Sequence, residues 1–161
     1  MKQQMNWKIV DATELILGRM CSQVAKLALL GEHVLIVNAK DAVISGRRNQ
    51  IIKNILIARE ARDLANPHHG PFRNSRPDMY VRQKVRQMLP KNDRGHDAIE
   101  RVHVYINGIP KVKEEQYKNQ EAIQIKNASS SRLSHKYHTV ADICTNMGWT
   151  GGSRDASLKS K

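Results

Sequence analysis

Aromatic rings are scarce in this chain: two Trp, four Tyr and one Phe account for 4% of 161 residues. That scarcity argues against a platform on which single-stranded bases stack, since such platforms need several rings along one groove. Cysteine is equally sparse. Cys21 and Cys144 stand alone with no Cys-x-x-Cys, which excludes a disulfide scaffold and a cysteine zinc site and predicts buried thiols in a reducing compartment. No stretch approaches a transmembrane span, and the opening MKQQMNWKIVDA lacks the apolar centre of a signal peptide, so a cytoplasmic location is expected.

The patterns of catalysis are missing too. Gly18 follows a strand pattern and opens a helix pattern, but no Gly-x-Gly-x-x-Gly accompanies it, so close helix–strand packing is the better reading. His68-His69 has no carboxylate or cysteine at ligand spacing. Asp93, His96 and Asp97 come nearest to an acid–base cluster, and Asp93-Arg94-Gly95 reads more simply as a turn. No catalytic residue, metal or cofactor is expected.

What the chain does have is positive charge. Lys and Arg number 27 against 15 Asp and Glu, for a formal net charge of +12 and a pI near 10. Such an excess costs self-repulsion and fits a polyanionic partner, nucleic acid rather than membrane. The charge peaks between Gly70 and Gly95, where Arg73, Arg76, Arg82, Lys84, Arg86, Lys91 and Arg94 face only Asp78 and Asp93. Arg76-Pro77-Asp78 predicts a helix start with Asp78 capping the first amides. Val81, Val85, Met88 and Leu89 then recur on one helical face, Arg82 and Arg86 project from the other side, and Pro90 stops the run. The result is an arginine ridge over an apolar seam. Gly46-Arg47-Arg48, at another helix start, places free amides beside two guanidinium groups, which also suits a phosphate.

Hydrophobic residues at 40% support one folded domain with appendages. Trp7 to Ala12 predicts a strand. A helix follows Leu17-Gly18-Arg19, with Met20, Val24, Leu27 and Ala28 on one face and Gly31 as its C-terminal cap. The apolar run His33 to Ala39 predicts a strand covered on both sides, paired parallel to the first. Val43 to Gly46 is a short extended piece, and a helix runs from Arg47-Arg48 to about Glu60 with Ile51, Ile55 and Ala58 on one side. Residues 63–77 are a proline-rich loop, 91–95 a turn, His96 to Arg101 a helical stretch, Val102 to Ile106 a strand and Ala122 to Ile125 a possible short strand. From Asn127 the composition turns to Ser, Lys, His and Asn, as in a linker. Thr139 to Gly148 then predicts a small helix over 139–147, capped by Thr139, with Val140, Ile143, Cys144 and Met147 apolar and Trp149 as an anchor. So short a helix must dock, either on this chain's core or on a neighbouring protein. Residues Thr150 to Lys161 are expected to be disordered.

Several short motifs fall together in one order: Val10-Asp11-Ala12, Leu17-Gly18-Arg19, Ile36-Val37-Asn38-Ala39, Ser45-Gly46, Gly70-Pro71-Phe72, Arg76-Pro77-Asp78, Met88-Leu89-Pro90, Asp93-Arg94-Gly95 and Val104-Tyr105. In combination they resemble the large-subunit ribosomal protein L13 family, in its archaeal form, over roughly residues 6 to 126. The resemblance implies an α/β fold, a three-layer α/β/α sandwich around a four-stranded, mainly parallel sheet, and a structural role on large-subunit rRNA. One departure is Gln87, where the family usually has glycine before Met-Leu-Pro. The domain reading is an RNA-binding body over 1–126 and a C-terminal extension over 127–161.

The resulting expectation is an rRNA-binding constituent of the large subunit that is not an enzyme and uses no cofactor. Its contacts are Arg47, Arg48, His68, His69, Arg73, Arg76, Arg82, Lys84, Arg86, Lys91 and Arg94. Neighbouring ribosomal proteins are a second class of partner, reached through Val140, Ile143, Met147 and Trp149; no membrane or small-molecule partner is expected. A free regulatory RNA-binding module and an RNA-modifying enzyme are the alternatives, the first calling for more aromatic readout and the second for a cofactor cradle or nucleophile–base pair.

Overall fold

A computed structural model of the chain describes residues 7–61, 63–70, 74–110, 117, 120–125 and 127–151. Strand β1 (Trp7–Asp11) pairs in parallel with β2 (His33–Val37), in register from Trp7–His33 to Asp11–Val37. Beyond β2 lies β4 (Val102–Val104), also parallel, and the two-residue β5 (Glu121–Ala122) pairs with the other side of β1, giving the order β4-β2-β1-β5. The expected mixed α/β class with a parallel sheet is observed. The β5 pairing covers less than the extended piece expected over 122–125.

Alternation along the strands separates two faces. Val10, Val34, Ile36 and Val102 enter the large core; Trp7, Ile9, Leu35, Val37 and Tyr105 lie with Tyr117 and Ile109 in a smaller cluster. On the large-core face lies α1 (Leu17–Leu29), which buries Leu17, Met20, Cys21, Val24, Ala25 and Ala28. Leu30 ends it and Gly31 follows at φ 94°, with Gly31 N donating to Ala28 O and Glu32 N to Leu27 O. That double bond is a Schellman closure, and it needs a residue that tolerates left-handed backbone.

Helix α2 (Arg48–Glu60) matches its expected span but buries no residue fully. Helix α3 (Pro77–Met88) also matches, although its seam differs from the expectation. Tyr80, Val81, Val85 and Leu89 are buried, whereas Met88 is 44% exposed and lines an open groove with Ser22, Ala25 and Lys26 of α1. Asp78 makes no capping bond; its carboxylate instead accepts two hydrogen bonds from Arg76, at 3.2 and 2.7 Å.

Asp93-Arg94-Gly95, expected as a turn, is the first turn of α4 (Asp93–Glu100). Asn92 caps that helix, its Oδ1 accepting from Gly95 N at 3.1 Å. The turn passes so close to Pro90 that a Cβ on Gly95 would stand 1.9 Å from the Pro90 carbonyl oxygen. Only glycine fits there.

The stretch after Asn127 is stitched to the body rather than hanging from it. Ile16 N donates to Ala128 O at 2.6 Å, and Ser130 N to Glu14 O at 2.9 Å. Strand β6 (Tyr137–Thr139) pairs antiparallel with β3 (Val43–Ser45) and leads directly into α5 (Val140–Asn146). Thr139 caps α5 as expected, accepting from Asp142 N at 3.2 Å. Val140, Ile143, Cys144 and Met147 are buried in the large core with Trp149 packed beside them, so the apolar face docks on this chain itself. Val140, Ile143 and Met147 are therefore not a surface for a neighbouring protein. Burying Val140 and Ile143 contributes roughly 2 kcal/mol each, which offsets the intrinsic weakness of so short a helix. The disorder expected for Thr150 to Lys161 falls mostly on residues outside the described ones.

Cys21 and Cys144 are both buried and unbonded. Burial pushes each thiol up to about 12, and for Cys21 the charge of Lys84 offsets only part of it. Neither thiol should therefore react with a disulfide reagent at pH 8 until the protein is unfolded, when both should. Rapid labelling of the native chain would contradict that packing. Gly95→Ala should lower stability by about 3 kcal/mol in urea denaturation, the cost of forcing a methyl into a filled site. Gly18→Ala, whose Cβ would meet nothing within 4 Å, should leave stability unchanged or raise it by up to about 1 kcal/mol.

Candidate nucleic-acid interface

The cations of the sequence do not form one ridge. Two patches lie at opposite ends of α1, a helix of 13 residues and thus about 20 Å long. The first is built where β3 meets α2. Val43 bridges to Ile16 at the start of α1, so β3 is fixed at that end. Gly46 N then donates to Lys136 O at 3.0 Å, holding the start of α2 against the chain leading into β6. Arg47, Arg48, His135, Lys136 and His138 consequently line two adjoining shallow clefts. The first turn of α2 contains no acidic residue, and its N-cap, Arg47, makes no side-chain capping bond.

One carboxylate tempers this patch. Arg48 Nε and Nη2 donate to Asp142 at 2.9 and 3.1 Å, and His138 Nδ1 lies 3.7 Å from the same group. The Arg48 hydrogen bonds hold the Asp142 carboxyl below its ordinary value, with His138 contributing least. Arg48 is thereby half-neutralised but fixed in place, whereas Arg47 and Lys136 are exposed and have no carboxylate partner among the described residues. Lys136, His135 and His138 were not singled out by the sequence. The only local signal is His-Lys-Tyr-His ahead of the Thr139 cap, and nothing in it indicates that β6 lies beside β3.

The second patch surrounds the far end of α1. Arg94 donates to Leu29 O and Arg101 to Ala28 O, both at 3.3 Å, so two guanidinium groups bond carbonyls of the last turn of α1 and complement its negative end. Arg86 and Lys91 are exposed, at the end of α3 and just before α4. Leu30 and Met88 are also exposed here and, with Lys26, line one shallow groove.

Other expected contacts are placed differently. Arg82 does not project as a ridge: it is half-buried, Nη2 donating to Ile99 O at 3.3 Å, with Nε enclosed. It ties α3 to α4. Lys84 folds over the Tyr80 ring, 5.3 Å from its centroid, and Arg76 is paired to Asp78. Of the α3 cations, Arg86 is the one left exposed. His68 and His69 sit exposed on a single helical turn (Pro67–His69) started by Asn66, and the structure does not bring them to either patch. Gln87 is exposed on α3. Arg73 lies outside the described residues.

Nothing here forms a catalytic constellation or a metal cluster among the described residues. No described helix is long and apolar enough to cross a membrane. Exposed guanidinium and ammonium groups on a rigid frame are suited to phosphate backbones rather than to base edges.

Comparison with known proteins agrees with that chemistry. The family model described as Ribosomal protein L13 matches residues 5–111. The large ribosomal subunit protein uL13 of Methanosarcina barkeri is 41% identical over 143 residues, covering 87% of this chain and 96% of that protein. That of Sulfolobus acidocaldarius is 38% identical over 149 residues, covering 92% and 97%. Its counterpart in Saccharolobus solfataricus is 35% identical over 144 residues, covering 89% and 93%. Identity at this level along nearly the whole length, together with the matched family model, places the chain in the ribosomal protein L13 family.

Proposed function

We propose that this protein is a structural, non-catalytic constituent of the large ribosomal subunit, resident on cytoplasmic ribosomes, that binds and stabilises large-subunit rRNA through backbone contacts. The observation that carries the reading is the pair of cationic patches held about 20 Å apart by α1. The first patch is anchored by a main-chain hydrogen bond and the second by an arginine side chain bonded to an α1 carbonyl, so the charges are preorganised, and a rigid body with two such ends can hold two stretches of RNA backbone at a set separation. The printed names of the family relatives, large ribosomal subunit protein uL13, point to the same assembly.

Within this reading Arg47, Arg48, Arg86, Lys91 and Arg94 are direct phosphate contacts, His68 and His69 are contacts on the segment before α3, and Arg73 is a further contact. Arg76, Arg82 and Lys84 act mainly by supporting α3. The architecture is the family's three-layer sandwich around four strands, with 1–126 as the RNA-binding body and 127–161 as an extension whose described part is bonded to it. Neighbouring large-subunit proteins are further partners, met through surfaces other than the buried face of α5.

Sedimentation of cell extract after a high-salt wash tests the reading directly. Retention on the large subunit is expected; a pool found solely at the top of the gradient would overturn it. With purified protein and transcribed large-subunit rRNA, Arg47→Ala/Lys136→Ala and Arg86→Ala/Lys91→Ala should each weaken binding and flatten the salt dependence by about 1 per lost phosphate contact. Asp142→Asn should do the reverse, tightening binding by releasing the full charge of Arg48. Arg82→Ala, by contrast, should lower stability by about 1–3 kcal/mol through the unpaired Ile99 carbonyl and lost packing.

A further inference from the structure

Arg19 and Arg132 are 113 residues apart in sequence, yet the fold brings them to one asparagine. Arg19 Nη1 donates to the Asn127 backbone oxygen at 3.2 Å, and Arg132 Nη1 donates to Asn127 Oδ1 at 3.1 Å. The three residues line an open cleft, and both arginines are exposed. Among the described residues neither has a carboxylate partner. Two like charges are thus held at one residue with no described carboxylate to neutralise either.

The tether leaves most of the chemistry free. A guanidinium carries five N–H donors in a fixed fork, and each arginine spends one on Asn127. The remaining donors are left for the cleft. Its walls are also fixed: the segment carrying Asn127 and Arg132 is bonded to the start of α1 through Ile16 N to Ala128 O and Ser130 N to Glu14 O. Ser129 Oγ accepts from Ser131 N at 3.3 Å, closing the turn that aims Arg132. Charge repulsion, preorganisation and spare forked donors all favour a tetrahedral oxyanion seated between the two side chains.

We propose that Arg19 and Arg132, braced by Asn127, form a dedicated binding site for a backbone phosphate of RNA. The site rests on the rRNA-binding reading and extends it to a part of the chain beyond the matched family region, which ends at residue 111. It gives the segment after 126 a role in RNA contact rather than in packing alone.

Binding of the full-length chain to transcribed large-subunit rRNA, followed across a salt series, tests the site through Arg19→Gln, Arg132→Gln, the double variant and Asn127→Ala. Each single arginine variant should weaken binding about tenfold at low salt, the scale of one charge-assisted hydrogen-bonded contact. Both should reduce the salt slope by about 1. The double variant should lose less than the product of the singles, since both arginines serve one phosphate. Asn127→Ala keeps both charges, so it should weaken binding less and leave the salt slope unchanged. Circular dichroism and urea midpoints close to the parent's would show that the variants fold.

Parental affinity and salt slope in both arginine variants, alongside weakened binding by Arg47→Ala/Lys136→Ala, would overturn this site and leave the ribosomal reading standing. Loss of inorganic phosphate or pyrophosphate binding in the arginine variants, with RNA affinity intact, would overturn the RNA assignment in favour of a free anion. No salt-dependent rRNA binding by the parent would overturn both.

Discussion

The packing of α1 against the sheet, α3 and α4 is the contact on which the remaining structure depends. It buries six residues of that helix, and it fixes where each end emerges. The first end is bonded to β3 and to the segment after 126; the other is closed by Gly31 and by Arg94 and Arg101. Every exposed cation placed at either patch takes its position from one of those ends. An apolar interface thereby sets the spacing of charges that never touch it. This separation lets the chain hold a net charge of +12: the positive groups sit in different regions, and several donate to main-chain carbonyls.

Burial and charge are also reconciled locally. Asp11 shows the balance on the acidic side: burial pushes its carboxyl up, but hydrogen bonds donated by Thr13 Oγ, Thr13 N and Asn38 Nδ2 outweigh that and hold it below the usual value. The last of these bonds also holds the side chain of Asn38, which adopts a left-handed backbone at φ 54° as the chain leaves β2. On the basic side, Arg82 shows the opposite choice, since its long side chain folds inward to tie two helices instead of facing solvent.

The sequence made the framework legible because periodicity and punctuation are local. The α1 face, the Gly31 closure, the span of α2 and the Thr139 cap all depend on residues within about a turn of each other, and all appear as expected. The start of α4 was missed because Asp93-Arg94-Gly95 carries turn residues, whereas the deciding facts are the Asn92 cap and the close approach of Pro90. The arginine ridge was overread for a related reason. A helical wheel gives the direction of Arg82 but not the nearby Ile99 carbonyl, which only the packing of α3 on α4 supplies. Nothing local marks Lys136 and Arg132 as contacts, because their setting comes from Gly46 and Arg19, chain segments more than 80 residues away.

The central claim is that both ends of α1 present cations to RNA within the assembled subunit. Acetylation of lysines in intact large subunits, compared with the free protein by mass spectrometry, reads both ends in one experiment through Lys136 and Lys91. The account predicts that both amines are protected in the subunit and react freely in the isolated chain. Equal reactivity of both lysines in the two states would contradict it.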